Sequence, residues 1–378
     1  MLKPESEADL AELVAGADTP LHVQGGGTRP IGGPTNGTPL TTSALTGIDL
    51  YEPGALTLVA RAGTPLAEIE KALAAEGQRL AFEPMDHRGL LATTGEPTIG
   101  GVIAANVSGP RRIQAGAARD FLLGVRFVDG AGRVLRNGGR VMKNVTGYDL
   151  VKLMAGSYGT LGILTEVSLK VLPDTATVAT LSIDGLDDGQ AVKALSRALG
   201  SPFEVTGAAH WPHAAQGAGR TLIRIEGSEA SVAYRAGELQ AALAGFGEVA
   251  FSHDTAANRA LWQEVRDVAP FHDRPGDIWR LSVKPSDAPG IVAQLSGAQA
   301  LYDWGGGLVW LRMPEGTAPD KIRQPVDAAG GHATLIRGNR SAGVFHPLPA
   351  PIAALQEGLR QKFDPKGLFN PGLMGQAA

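Results

Sequence analysis

The stretch VMKNVTGYDLVKLMAGSYGTLGILTEVSLK, residues 141–170, decides the fold. A polar cluster (Lys143, Asn144, Thr146, Tyr148, Asp149) precedes a helix-like apolar run. A tight loop follows, Gly156-Ser157-Tyr158-Gly159-Thr160-Leu161-Gly162, and then an apolar strand. Glycines let a backbone approach a ligand closely, and exposed backbone N–H groups suit an anionic or carbonyl-rich one. The rest of the chain is expected to complete a site built on this stretch or to cover it.

The whole chain bounds what that site serves. With 378 residues there is material for two domains and a substantial core. A hydrophobic share of 43% against 19% charged fits an ordinary globular protein rather than a disordered one. The 51 glycines have no fixed period, which excludes collagen-like sequence and points to tight turns and close backbone approaches. The net charge is −4 and no basic stripe interleaves with aromatics, so nucleic acid is not an expected partner. There is no cysteine. Disulfides, iron–sulfur ligation by this chain, thiol catalysis and a cysteinyl cofactor link are thereby excluded. The N-terminal MLKPESEADLAELVAGA has acids where a signal peptide needs a basic segment, and no apolar run is long enough to span a bilayer. A cytoplasmic protein is expected, with any attachment to the inner membrane made through partners.

Upstream, Ser6 and Asp9 form a rough capping box for a helix at 4–15. A strand at 21–23 runs into Gln24-Gly25-Gly26-Gly27-Thr28-Arg29. Three glycines after a strand make a phosphate cradle or an ordinary turn. No Gly-Lys-Ser/Thr follows and there is no Gly-x-Gly-x-x-Gly, so neither a Walker loop nor a dinucleotide fingerprint is present. A strand at 56–62, a helix at 66–75 ended by Gly77, and a short strand at 79–84 come next. TIGGVIAAN (98–106) is a second glycine-marked segment. Asp129-Gly130 between β-rich runs predicts a hairpin. Downstream, from 175 to about 338, two β-α-β-β-α-β passes joined by a helix at 256–268 predict an antiparallel sheet with helices on one face.

Four motifs stand in a fixed order: QGGGTR, EPTIGGVIAANVSG, GRVMKNVTGYDLVKLMAGSYGTLGILTEVSLKVLP, and FDPKGLFNPG at 363–372. Together they resemble the FAD-binding domain of the vanillyl-alcohol oxidase/p-cresol methylhydroxylase (PCMH) flavoprotein superfamily. The third resembles the flavin-contacting block of its D-2-hydroxyacid dehydrogenase branch. The resemblance implies an α+β protein. A two-subdomain PCMH-type FAD-binding domain would occupy 1–173 and a ferredoxin-like α+β cap domain 174–338. Residues 339–378 would return to the FAD domain.

The implied cofactor is FAD. It would be held non-covalently, because Thr28 and Arg29 stand where relatives with a histidyl link carry histidine. Gln24, Gly25, Gly26, Gly27 and Thr28 would meet the pyrophosphate. Pro84, Thr98, Ile99, Gly100 and Gly101 would line the adenosine slot. Asn106, Asn144, Gly159, Thr160, Gly162 and Ile163 would face the isoalloxazine edge, with Asn370 from the return segment. Gly26→Asp would abolish FAD retention by placing a carboxylate against the pyrophosphate.

Oxidising a 2-hydroxy acid such as glycolate needs a cation for the carboxylate, a base for the hydroxyl proton and a hydride path to the flavin. Arg266, Arg280 and Tyr148 are the candidates, and for each arginine an ion pair is an equally good role. The cap His-x-Gly-Asp-Gly-Asn-x-His segment of catalytic relatives is absent and no metal site is expected. His210 and His213 read as a solvated loop pair, and His346 could approach the flavin from the tail. The resemblance therefore implies an FAD-binding subunit of a multi-subunit glycolate dehydrogenase. A longer sister FAD subunit and an iron–sulfur subunit would be its partners. The alternatives are a self-sufficient FAD-dependent D-2-hydroxyacid dehydrogenase and a non-catalytic scaffold, against which the intact glycine loops speak.

Overall fold

The computed structural model describes residues 1–140, 147–213 and 219–375. The first helix, Glu7–Gly16, begins with the expected box. Ser6 Oγ accepts from the Asp9 amide and the Asp9 carboxylate accepts from the Ser6 amide. Its buried face is Leu10 and Val14. Strand β1 (Leu21–Gln24) pairs in parallel with β2 (Thr38–Thr41). Leu21 also donates to the Leu368 carbonyl and receives from the Asn370 amide, so the return segment closes onto β1.

A five-stranded antiparallel sheet follows, in the order β3-β4-β8-β6-β7. Its strands are β3 (Ile48–Glu52), β4 (Thr57–Arg61), β6 (Leu122–Val128), β7 (Val134–Gly138) and β8 (Ile163–Lys170). The β6–β7 turn is held by Asp129, whose carboxylate accepts from the amides of Ala131 and Arg133. The run 79–84 is mostly not a strand. Only β5 (Gln78–Arg79) pairs, with β9 (Leu172–Pro173). Glu83 then takes a positive φ of 46°, and its carboxylate meets Arg111 and Arg224 rather than continuing a ladder.

The second sheet has eight antiparallel strands in the order β13-β10-β12-β11-β15-β16-β14-β17. They are β10 (Thr177–Asp184), β11 (Gly207–Trp211), β12 (Arg220–Gly227), β13 (Ala250–Ser252), β14 (Asp277–Ser282), β15 (Gln299–Asp303), β16 (Leu308–Met313) and β17 (His332–Arg337). This order is two ferredoxin-like units meeting at their second strands, where His210 of β11 pairs with Tyr302 of β15. The expected duplication is what the chain forms.

The period-2 alternation of these strands sorts chemistry by face. Ile223, Ile225, Leu181 and Ile183 pack under the helices Asp188–Leu199 and Glu229–Leu243. Trp279, Leu281, Val309 and Leu311 form the matching core of the second unit. The alternate residues Arg224, Glu226 and Arg280 therefore point the other way, where Ile278, Leu308 and Trp310 join the core of the five-stranded sheet. The linking helix Thr255–Asp267 lies on that second face, its Trp262 against Ala209 and Leu222. No helix among the described residues is long and apolar enough to cross a membrane.

Candidate functional site

The chain folds three glycine-bearing segments around one cleft: residues between 22 and 31, between 97 and 107, and between 158 and 164, with Met85, His87 and Leu373. The first is the loop leaving β1. Among the described residues the amides of Gly25, Gly26, Gly27, Thr28 and Arg29 donate to nothing. Consecutive free N–H groups without opposing side chains are what a pyrophosphate requires. Gly27, at φ 73°, faces open space. On these grounds the residues fit FAD.

The neighbouring glycines have another cause. A Cβ on Gly26 would run into the Glu96 carbonyl oxygen, and one on Gly25 into Thr98 Oγ1. These two hold the loop against residues 95–98. The rationale for Gly26→Asp is thereby corrected, since its side chain would collide with the protein itself.

The second glycine-marked segment is a short helix, Ile99–Ala104. Thr98 caps it, its Oγ1 accepting from the Gly101 amide at 3.3 Å. The third segment is joined to that helix by the amides of Gly156 and Tyr158, which donate to the carbonyls of Ile103 and Ala104.

Of the expected cofactor residues, Gln24, Gly25, Gly26, Gly27, Thr28, Thr98, Gly100, Gly101, Gly159, Gly162 and Ile163 line the cleft. Others stand behind its wall. Ile99 is buried in the core. Asn106 turns away, its Oδ1 accepting from the Arg119 amide at 2.9 Å. The Thr160 hydroxyl donates to the Ser157 carbonyl. Asn370 ties β1 to the third segment, accepting from the Val23 amide at 2.7 Å and donating to the Tyr158 carbonyl at 3.0 Å. Pro84 does not line the cleft, whereas Met85 and His87 do. Asn144 lies outside the described residues.

The substrate-side expectations separate more sharply. Tyr148 is 87% exposed and away from the cleft. Arg266 is engaged by its own neighbour, with both Asp267 carboxylate oxygens 2.8 Å from its guanidinium. The Arg280 guanidinium lies over the Trp304 ring at 5.2 Å and makes no hydrogen bond or ion pair with any described residue. His210 is not a solvated loop residue. It is fully buried in β11, with Nδ1 3.0 Å from Thr221 Oγ1. His346 faces away from the cleft, accepting from the Ala333 amide and lying near Asp327.

The cap-side wall of the cleft is a cluster of cationic and aromatic groups. Arg29 Nε donates to His87 Nε2 at 3.2 Å and its Nη2 to the Tyr158 hydroxyl at 3.1 Å. Burial pushes the His87 pKa well below the ordinary histidine value, and Arg29 pushes it the same way, so the ring is neutral and accepts. Tyr158 stands edge-on to Phe345, with ring centroids 5.1 Å apart. Tyr158 belongs to the glycine loop and Arg29 to QGGGTR, so both lay within legible motifs. The sequence carries no signal for His87, which arrives from Asp86-His87-Arg88.

Comparison with known proteins fits this geometry. The FAD binding domain family model matches residues 1–138. Glycolate oxidase subunit GlcE of Escherichia coli (strain K12) is 42% identical over 359 residues, covering 94% of this chain and 93% of that protein. D-lactate dehydrogenase of Archaeoglobus fulgidus is 31% identical over 189 residues, 48% of this chain and 41% of that protein. Glycolate oxidase subunit GlcD of Bacillus subtilis (strain 168) is 34% identical over 165 residues, covering 43% and 34%. In fold, the chain is similar to alkyldihydroxyacetonephosphate synthase, with a TM-score of 0.70 over 98% of this chain and 75% of that one at 18% identity.

Proposed function

This chain belongs to the family of the glycolate oxidase subunit GlcE, and we propose on that premise that it holds FAD non-covalently within a multi-subunit dehydrogenase oxidising glycolate to glyoxylate. The observation that carries the reading is the run of free amides from Gly25 to Arg29 at the mouth of β1. FAD, when bound, supplies a two-electron acceptor for the hydride of an alcohol. The chain's own residues bind and orient it. The Gly25–Arg29 amides meet the pyrophosphate. Thr98, Gly100 and Gly101 border the adenosine, and Gly159, Gly162 and Ile163 border the ring system. Thr28 and Arg29 stand where relatives with a histidyl link carry histidine, and the chain has no cysteine.

Electrons leaving this chain have no cluster of its own to enter, because iron–sulfur centres need cysteine thiolates. A longer sister FAD subunit and an iron–sulfur subunit are the proposed partners, on the cytoplasmic side of the membrane. We place the domain division after residue 173 and after residue 338. The turn between β9 and β10, and the path from β17 to the Leu21–Leu368 pairing, support it.

The test is a visible spectrum of the isolated protein, then of the same sample with anaerobic glycolate. A flavin spectrum released by acid precipitation is expected, as is dye reduction by glycolate only with the partner subunits present. Protein that stays colourless after incubation with FAD overturns the cofactor reading. Dye reduction by this chain alone overturns the subunit reading.

A further inference from the structure

Arg29 lines the cleft and Arg280 stands near Arg29, Tyr158 and His87 outside that lining, with Arg112 beside it; none of the three guanidinium groups has a salt-bridge partner among the described residues. Arg29 donates to neutral acceptors only, His87 and Tyr158. The guanidinium groups of Arg112 and Arg280 make no hydrogen bond or salt bridge with a described residue. Both lie instead over one indole, their guanidinium carbons 4.5 and 5.2 Å from the Trp304 ring centroid. That indole is firmly placed. Its Nε1 donates to the Gly109 carbonyl at 3.0 Å, and its backbone N–H donates to the Asp303 carboxylate at 2.7 Å. Trp304 takes a positive φ of 53°, followed by Gly305 and Gly306 in the same region, so a strained turn presents the ring.

The contrast with the rest of this face is informative. Arg224 and Arg111 are saturated by Glu83 and Glu226, and Arg266 by Asp267. The fold thus pairs the buried Arg224 and Arg111 and the partly buried Arg266 with carboxylates and leaves this group without a salt bridge among the described residues. Uncompensated partly buried cations are costly unless an anion arrives. Burial lowers the Arg280 pKa to about 10, and the cations Arg112 and Arg29 push the same way against Tyr158 and Asp303. Arg280 therefore stays charged at neutral pH. The ionisable groups facing it are Arg29, Arg112, His87, His332, Tyr158 and Asp303. The one carboxyl among them, Asp303, is pushed up to about 7 by burial.

We infer that Arg112 and Arg280, stacked on Trp304 near Arg29, bind the carboxylate of a small 2-hydroxy or 2-oxo acid next to the cleft. The inference rests on reading the cleft as the flavin site. Arg280 and Arg112 provide donors, and the indole fixes their planes. His87 is a positioning residue that holds Arg29 across Tyr158. Arg266 has no part in this site, because Asp267 already occupies its fork.

The experiment titrates the FAD-loaded protein with oxalate, a carboxylate that cannot be oxidised at carbon by hydride loss, and follows the flavin difference spectrum. Melting temperature is followed in parallel in the FAD-loaded and the FAD-free protein. A saturable oxalate response is expected from the wild type. Arg280→Gln and Arg112→Gln should each weaken it by about tenfold or more, at unchanged flavin content. Arg280→Lys, which keeps the charge but not the fork, should fall between. Wild-type oxalate affinity in both Gln variants overturns the inference. So does an equal response to sulfate and phosphate, which would make this a general anion site. Should Arg280→Gln fail to fold, the Lys variant and Arg112→Gln decide alone. Coloured protein with no oxalate response defeats this inference and leaves the flavin reading standing. Colourless protein with an Arg280-dependent melting shift does the reverse.

Discussion

Gly26 and Gly27 are adjacent in one loop and are glycine for different physical reasons. At Gly26 the space is taken by the Glu96 carbonyl. At Gly27 the space is open but φ is 73°. Gly26→Ala must therefore push residues 95–96 away, whereas Gly27→Ala pays only for its backbone conformation, about 1–2 kcal/mol. In FAD-free protein the urea midpoint should fall further for Gly26→Ala than for Gly27→Ala. Equal losses would show that the loop contact with residue 96 is not tight. At the same scale, Arg266 and Arg280 look alike in the sequence, each a few residues from a tryptophan. Which one is free depends on where Asp267 points, and that is a tertiary fact.

At the scale of elements, the helix Ile99–Ala104 does two things at once. Its Gly100 lies against β4, where a Cβ would come 2.7 Å from the Ala62 carbonyl oxygen, and its N-terminus borders the cleft. Thr98 connects the two as cap and lining residue. Thr98→Ala should cost about 0.5–2 kcal/mol of stability, as an N-cap loss does, and weaken FAD retention. Thr98→Ser keeps the hydroxyl and should recover most of both in urea titrations and flavin content. A Ser variant as impaired as Ala would count against the cap. Helix propensity disfavours the two glycines of this segment. At Gly100 the contact with Ala62 leaves no room for a side chain, and the Thr98 cap starts the helix.

At the scale of the molecule, a buried ionic network joins the cap sheet to the flavin-side segments. Glu226 of β12 receives Arg111 at 2.8 Å and Arg79 at 2.8 Å, while Arg224 forks onto Glu83 at 2.9 Å. Burial alone would raise both carboxyl pKa values, but Arg224 and Arg111 outweigh it and hold both below their ordinary 4.5. A depressed carboxylate stabilises the fold above its ordinary value, and the contribution is lost as pH falls through the depressed one. Melting temperature should therefore drop as pH goes from about 6 to about 3. Glu226→Gln leaves Arg111 and Arg79 underpaired and should cost about 3–5 kcal/mol. Its melting temperature should start lower and fall less over the same pH range. A parallel fall would place the acid sensitivity elsewhere.

Much of the architecture was legible because it is local. Ser6 and Asp9 cap a helix three residues apart, Asp129 turns a hairpin, and period-2 alternation marks both β-α-β-β-α-β units. The order of the glycine segments likewise carried the cofactor class, since free amides need no distant side chain. Near the cleft, Arg280 was legible only as one of two candidate arginines, and Arg29 and Tyr158 only as members of glycine motifs; their grouping with His87, Arg112 and Trp304 was not. Arg29, His87, Arg112, Tyr158, Arg280 and Trp304 come from six separate stretches of chain, and no spacing links them. Their roles depend on which carboxylates the fold brings within reach, because a charge is free or spent according to its neighbours in space. The sequence determined that this protein folds around a flavin-type cleft under a duplicated α+β sheet. Only the tertiary structure decided which arginines remain to meet an anion there.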